Sequence, residues 1–151
     1  MKHNKRHHKI SDHFSVKDFS CKCEDCKGSI RVSMGLVGIL ELIRSKCRNR
    51  VNIHKGFICI DAVEKLSEPR SSCHAKGLAA DITVDNKSPE EVFLIAEAIP
   101  EIKGLGLDIQ GEKVHVDTRK EKERSIWVED KGKTIPLNAE NRSTYIKDVL
   151  S

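Results

Sequence analysis

The chain has 151 residues, 38% of them hydrophobic, and this length fits one domain built around a single core. Lys and Arg outnumber Asp and Glu by 27 to 23, which gives a net charge of +4. This small excess, without a basic stripe interleaved with aromatic residues, argues against a nucleic-acid partner. No apolar run is long enough to span a membrane, and no apolar segment follows the basic N-terminus, so we expect neither a membrane span nor a secretory signal.

The first half of the chain predicts one long helix and one short strand. Residues 1–11 are basic and poor in apolar side chains, so we predict a disordered tail. Ser33 can cap a helix whose apolar residues recur at helical spacing until about Arg48. The segment VNIH at 51–54 predicts a strand, and we expect an irregular stretch from there to about residue 77.

The second half predicts strands around a second helix. LAADITV at 78–84 is typical of a strand, and Ser88, followed by Pro and two Glu, is typical of a helix start. Pro100 should end that helix. The segments at 104–109 and 113–118 then predict a β-hairpin. This order predicts a small α+β domain, with an antiparallel sheet and flanking helices.

Two of these strands place polar side chains on the face opposite their apolar residues. Alternation puts Asp81 on that face of the first strand, and His115 and Asp117 on that face of the second. His74 precedes the first strand, and Gly77 permits a turn that brings it over Asp81. Two imidazoles and one carboxylate suit a catalytic zinc ion, because three protein ligands leave a fourth position for water.

Glu112 is the candidate general base for that water, because it lies three residues before His115. On a regular strand the two side chains would face opposite sides. Glu112 must therefore lie in the turn or on a bulge, which Gly111 permits. The alternative is that these polar residues are structural or solvated, since His and Asp often occur at such spacings without a metal.

Two motifs carry a resemblance to a known family. SSCHAKGLAADI, at 71–82, resembles the SxHxxGxAxD signature of the zinc D-alanyl-D-alanine carboxypeptidases, which share their fold with the Hedgehog signalling domain. EKVHVDTR, at 112–119, resembles the family's second motif, in which an acidic residue lies three before a zinc-binding His. The resemblance spans roughly residues 12–127 and includes DHFSVKDFSCKC near the N-terminus and Trp127.

The resemblance implies a set of site residues and a reaction. The implied zinc ligands and catalytic acid/base are His74, Asp81, His115 and Glu112. Roles in holding the substrate or supporting the ligands are implied for Ser72, Asp117, Arg119 and Trp127. Members hydrolyse peptide bonds in peptidoglycan stem peptides, either as carboxypeptidases that remove a terminal D-alanine or as endolysins that cut between L-alanine and D-glutamate.

These implications complete the predicted organisation of the chain. We predict a zinc peptidase-like domain at 12–130, preceded by the tail at 1–11 and followed by a C-terminal extension at 131–151 that packs on the domain. The predicted partner is a peptidoglycan stem peptide. We expect synthesis in the cytoplasm and action at the cell wall after release.

The sequence departs from the family at one position. After its first strand the family usually has a Gly-aromatic-Arg element whose Arg holds the substrate or the oxyanion, and here Ile58 stands at the Arg position. Lys55, Arg70 and Arg119 are candidates to replace it. The departure motivates an alternative function, a catalytically weakened zinc-containing module that binds cell-wall peptide or a protein partner.

Six cysteines raise the question of a second metal. Cys21, Cys23 and Cys26 have a spacing that suits a structural zinc ion if a fourth ligand, such as Cys59 or Cys73, comes from elsewhere in the chain. Disulfides and free thiols are the alternatives. A nucleic-acid-binding Cys/His protein is a further interpretation, and it predicts salt-dependent binding.

Overall fold

The structure, a computed structural model, describes residues 8–65 and 72–147. This part of the chain forms five helices and six strands, in the order α1 Val16–Phe19, α2 Met34–Cys47, β1 Val51–Lys55, α3 Ile60–Lys65, β2 Ala79–Val84, α4 Pro89–Glu97, β3 Gly104–Asp108, β4 Lys113–Asp117, β5 Ser125–Asp130, β6 Lys133–Pro136 and α5 Arg142–Tyr145. The predicted α+β class is confirmed. Within the described residues, no helix has the length and apolar character needed to cross a membrane.

The two main helices begin where their capping residues predict. The Ser33 hydroxyl accepts a hydrogen bond from the backbone N–H of Leu36 at 3.1 Å, and α2 ends at Arg48, whose φ of 54° is left-handed. The Ser88 hydroxyl accepts from the backbone N–H of Glu91 at 3.2 Å, with Pro89 at the first helical position of α4. Both helices pack on one face of the sheet.

The sheet has the strand order β1-β2-β4-β3-β5-β6. Four neighbouring pairs are antiparallel, including the predicted β3–β4 hairpin, but β3 and β5 are parallel, so the sheet is mixed rather than purely antiparallel. The parallel pair arises because β4 already occupies one side of β3. The chain crosses over through residues 118–124 and adds β5 on the other side.

Arg124 anchors this crossover to the end of α4. Its guanidinium donates to the carbonyl oxygens of Glu97, Ile99 and Ile102 at 2.9, 3.2 and 2.9 Å. These carbonyls lie at and beyond the end of α4, where helix carbonyls lack intrahelical partners. Arg124 therefore supplies a cationic cap to the helix and fixes the start of β5.

The core lies between the two helices and one face of the sheet. Leu40, Ile43 and Phe93 on the helices meet Ile82 and Val114 on the strands, and all five are fully buried. As predicted, the apolar residues of β2 and β4 face this core. The opposite face of the sheet carries polar side chains, among them those of Asp81 and His115.

Several short elements were not predicted from the sequence. Helix α3 lies within the stretch expected to be irregular up to residue 77, and β5, β6 and α5 lie in the C-terminal part, for which no helix or strand was predicted. Ile146 is buried in the main core, and Arg142 pairs with Glu97 at 2.8 Å, so the end of the described chain packs on the same core.

The domain boundaries at residues 11 and 130 stay predictions. The predicted tail falls largely outside the described residues. Among its described residues, Ile10 donates its backbone N–H to the carbonyl of Phe14 at 2.8 Å.

Replacing Arg124 by Ala should lower the free energy of unfolding by about 1.5–3 kcal/mol, because three hydrogen bonds to a charged group are lost from a partly buried site. Urea unfolding with an unchanged m-value measures the effect. Lys122→Ala, an exposed change on the same crossover, is the control and should stay within about 0.5 kcal/mol. Equal stability of the two variants would show that Arg124 does not cap α4.

Candidate metal centre

A cleft of about 960 Å³ opens on the sheet face opposite the helices. One row of directly paired positions crosses all six strands beneath it, and it runs Lys55, Asp81, His115, Gly106, Trp127 and Pro136. Four of these residues line the cleft through their side chains, and Gly106 lines it through its backbone. The register of the sheet therefore places residues from distant parts of the chain side by side.

His74, Asp81 and His115, the three residues expected to hold zinc, lie together in this cleft. Asp81 Oδ1 lies 3.2 Å from His74 Nε2 and 2.9 Å from His115 Nδ1, and one donor atom from each residue lies within 4.8 Å of the others. A tetrahedral zinc ion with bonds of about 2.0–2.1 Å holds its N and O ligand atoms about 3.3 Å apart. The donor set and its spacing therefore fit a zinc ion.

His74 is held in place by the backbone of a neighbouring segment. Its Nδ1 donates to the carbonyl oxygen of Gly56 at 2.9 Å, which leaves Nε2 as the atom directed at Asp81. Gly77 provides the predicted turn, with a φ of 71°. A Cβ at Gly56 would lie 2.8 Å from the backbone of Phe19, so only glycine allows this close approach.

His115 is oriented by a buried carboxylate. Its Nε2 donates to Asp117 Oδ2 at 2.7 Å, which leaves Nδ1 directed at Asp81. Asp117 is fully buried, and it also accepts hydrogen bonds from the Arg119 side chain at 3.0 and 2.8 Å. A carboxylate behind a ligating imidazole fixes its tautomer and ring orientation.

The charges of this group shift the pKa values of its members. Burial lowers the pKa of His115, but hydrogen bonds and charges from Asp117 and Asp81 outweigh it and raise that pKa to about 9. Burial raises the pKa of each carboxyl group, but the hydrogen bonds to His115 prevail, and the pKa values of Asp81 and Asp117 lie well below the usual range. Both carboxylates are therefore ionised and attract positive charge to the position between Asp81 and the imidazoles.

Trp127 forms one wall of the cleft. Its ring centroid lies 5.3 Å from that of His115, and the Arg119 guanidinium lies 5.3 Å from the centroid of the indole. A Cβ at Gly106 would come within 2.6 Å of the indole, so the glycine makes the space that Trp127 fills. Ser72, also in the cleft wall, accepts a hydrogen bond from the backbone N–H of His74 at 3.2 Å.

The structure does not bring Glu112 to the three ligands. Glu112 lies in the β3–β4 turn with a φ of 53°, and it is exposed and lines a separate small cavity with Thr83 and Lys87. The bulge that would have turned it toward His115 is absent from the continuous β3–β4 register. Gly111 instead donates its backbone N–H to Asp108 Oδ1 at 3.0 Å within the turn.

Comparison with known families assigns the chain to a family. The sequence model of the family described as Peptidase M15 matches residues 12–117, which is more than half of the chain. The chain belongs to the Peptidase M15 family. The predicted resemblance to zinc D-alanyl-D-alanine carboxypeptidases is thus confirmed at the level of the family, which indicates a peptidase. A comparison with curated proteins gave no match.

The structure places Ile58, which occupies the position of the usual Arg of the Peptidase M15 family, outside the cleft. Ile58 is buried and packs against Ala62 and Val63 of α3 in a small second core. Two of its proposed replacements, Lys55 and Arg119, line the cleft. The third, Arg70, lies outside the described residues.

The cysteines separate into different environments. Cys21, Cys23 and Cys26 lie together with Cys59, which is one of the two predicted fourth ligands. The other, Cys73, lines the cleft, where burial raises the pKa of its thiol. Cys47 is buried in the main core.

We expect Gly106→Ala to lower the free energy of unfolding by about 1–3 kcal/mol, because the new methyl group overlaps the Trp127 indole. Gly38→Ala in α2 is the matched control. Its Cβ would meet no atom within 4 Å, so stability should stay equal or rise by up to about 1 kcal/mol. Urea unfolding followed by the fluorescence of the single tryptophan measures both. Matching stabilities would show that Trp127 does not lie over Gly106.

Proposed function

We propose that this protein is a zinc-dependent peptidase that hydrolyses peptide bonds in peptidoglycan stem peptides, as a carboxypeptidase or an endopeptidase. The observation that carries the proposal is the convergence of His74 Nε2, Asp81 Oδ1 and His115 Nδ1 in an open cleft. Membership of the Peptidase M15 family supports a peptide substrate. Hydrogen bonds fix the second nitrogen of each imidazole, so the site is organised for a cation.

Zinc bound by these residues would polarise the scissile carbonyl and lower the pKa of a water molecule to about 7. The chain prepares the site for it. Gly56 and Asp117 each accept a hydrogen bond from one nitrogen of an imidazole and so direct the other nitrogen toward the metal position. Arg119 balances the buried charge of Asp117, so that this carboxylate remains ionised behind His115.

The charged rim of the cleft suits an anionic peptide. Six basic residues, among them Lys55 and Arg119, and four acidic ones line it, and stem peptides carry free carboxylates that the cations in excess would bind. Losing an oxyanion donor costs about a hundred- to a thousandfold in rate, so the Ile58 position needs a replacement. We assign that role to Lys55, which lies opposite Asp81 in the β1–β2 register and lines the cleft.

For proton transfer we propose Glu112, the acid/base that the resemblance implies. Its position sets a condition for this role, because the Glu112 carboxylate must turn from solvent toward the cleft past the start of β4. Its exposure leaves the side chain room to move. Glu121 and Glu129, which line the cleft, are the carboxylates that would take the role if Glu112 does not reach.

Replacing His74 or His115 by Ala should remove the metal from the cleft, because each supplies one of three protein ligands, and turnover should be lost with it. Elemental analysis of the purified variants and mass spectrometry of digested muropeptides measure the two effects. His54→Ala, on the exposed part of β1, is the matched control and should change neither. Unchanged metal content in both ligand variants would exclude this site.

Glu112→Gln should leave the zinc content unchanged and slow turnover by about two to four orders of magnitude, the usual contribution of a positioned acid/base. Glu121→Gln and Glu129→Gln are the matched comparisons and should retain most of the activity. A full rate in Glu112→Gln, together with a large loss in one of the other two, would move the role to that carboxylate.

A second function is favoured by one observation, the burial of Ile58 away from the cleft. A chain that lacks the usual donor for the oxyanion would bind zinc and cell-wall peptide, or a protein partner, without efficient turnover. Wild-type protein with a filled metal site, measurable binding of stem peptide and no muropeptide cleavage would establish this function in place of the first.

A further inference from the structure

Four cysteines form a cluster outside the cleft, which we call the four-cysteine cluster. Cys21, Cys23 and Cys26 come from the segment after α1, and Cys59 lies just before α3. Their Sγ atoms all lie within 4.8 Å of one another, and those of Cys23 and Cys59 are 3.4 Å apart. A tetrahedral zinc ion with Zn–S bonds of about 2.3 Å holds its sulfur atoms about 3.8 Å apart.

We propose that the four-cysteine cluster binds a structural zinc ion with Cys59 as its fourth ligand. All four sulfur atoms lie near one another, and none is joined to another as a disulfide, which matches a tetrahedral thiolate site. A disulfide would bring one pair to about 2.05 Å. The backbone N–H of Cys59 also points at Cys21 Sγ at 3.4 Å, a contact that stabilises a thiolate.

The composition of the loop gives a physical reason for a metal. Residues 21–29, CKCEDCKGS, contain no aliphatic or aromatic side chain, so the loop has little to bury besides its cysteines. The backbone N–H of Cys21 donates to the carbonyl of Ser29 at 2.8 Å and closes the loop. Lys27 and Gly28 have φ values of 53° and 80°, which form the sharp turn after Cys26. A metal that joins the cysteines offsets the entropy of ordering this loop.

The cluster is connected to the cleft through the segment that precedes Cys59. Phe57 donates its backbone N–H to the carbonyl of Phe19 at 2.8 Å, and Gly56 accepts the hydrogen bond from His74 Nδ1 at 2.9 Å. A metal in the cluster therefore fixes the segment that orients His74. This consequence rests on the proposed function, because that function assigns His74 to the metal site in the cleft.

The test is the metal content of the wild-type protein and three variants, purified without a reductant. We expect two zinc ions per chain in wild type and in Cys47→Ala, whose cysteine lies in the main core. We expect one in Cys26→Ser and one in His115→Ala. After cobalt substitution, thiolate-to-cobalt charge-transfer absorption should be present in His115→Ala and absent in Cys26→Ser.

The outcomes separate this proposal from the proposed function. A single zinc in wild type that His115→Ala removes would overturn the four-cysteine cluster and leave the cleft site standing. A single zinc in wild type that His115→Ala retains would overturn the cleft site and leave the four-cysteine cluster standing. The proposal for the four-cysteine cluster would also be overturned by iron in place of zinc. An intact mass lower by two hydrogens, from a disulfide in the cluster, would overturn it as well. The wild-type and His115→Ala measurements decide the question even if Cys26→Ser does not fold.

The connection to the cleft has its own readout. In Cys26→Ser, the affinity of the remaining site for zinc, measured by competition with a chromophoric chelator, should fall about ten- to a hundredfold. This is the usual effect of losing support behind a ligand. Cys47→Ala should bind as wild type does. An unchanged affinity in Cys26→Ser would show that the cluster does not position His74.

Discussion

The cross-strand pairing of Asp81 with His115 is the constraint on which the site depends. Both residues lie on the open face of the sheet, opposite Ile82 and Val114, which are fully buried in the core. A slip of one residue between β2 and β4 would turn the apolar side chains to solvent and the polar ones into the core. The burial of apolar side chains in the core therefore also fixes the register of the proposed metal ligands. Among the described residues, no member of the main core lines the cleft.

Much of this arrangement could be predicted from local sequence. Alternation in two strands was enough to place Asp81 and His115 on one face, and Ser33 and Ser88 marked both main helices because their hydroxyls satisfy free backbone N–H groups. Gly77 indicated the turn that returns His74 to the strand. Each of these signals acts within a few residues of the chain.

Features that depend on distant contacts could not be predicted in the same way. The return of β5 beside β3 is fixed by Arg124, which binds carbonyls more than twenty residues earlier in the chain, and no local pattern announces it. Cys59 and Cys73 were equivalent in sequence as partners for the first three cysteines. The structure separates them: the segment before Cys59 hydrogen-bonds to Phe19, beside the cluster, whereas Cys73 lines the cleft.

Glycines are the clearest sequence signal that went unused. Gly56, Gly104 and Gly106 each lie where a Cβ would overlap the backbone of Phe19, the carboxylate of Asp117 or the indole of Trp127. The missing side chains make room for the groups that orient and enclose the site. A glycine in a strand often marks such a close approach, and two of these three lie in β3, between the ligand strand and the tryptophan strand.

The charges at the site suit a dication, as the proposed function requires. Asp81 and Asp117 are both ionised, and Arg119 balances only one of them. Hydrogen bonds and charges from both carboxylates, Asp117 foremost, hold a proton on His115 and raise its pKa to about 9. A divalent ion between Asp81 and two neutral imidazoles would change the net charge of this group of residues from zero to positive. A positive floor, beneath a rim that also carries Lys55 and Lys76, is suited to a substrate with carboxylates and to the negative charge that develops on a carbonyl oxygen under attack.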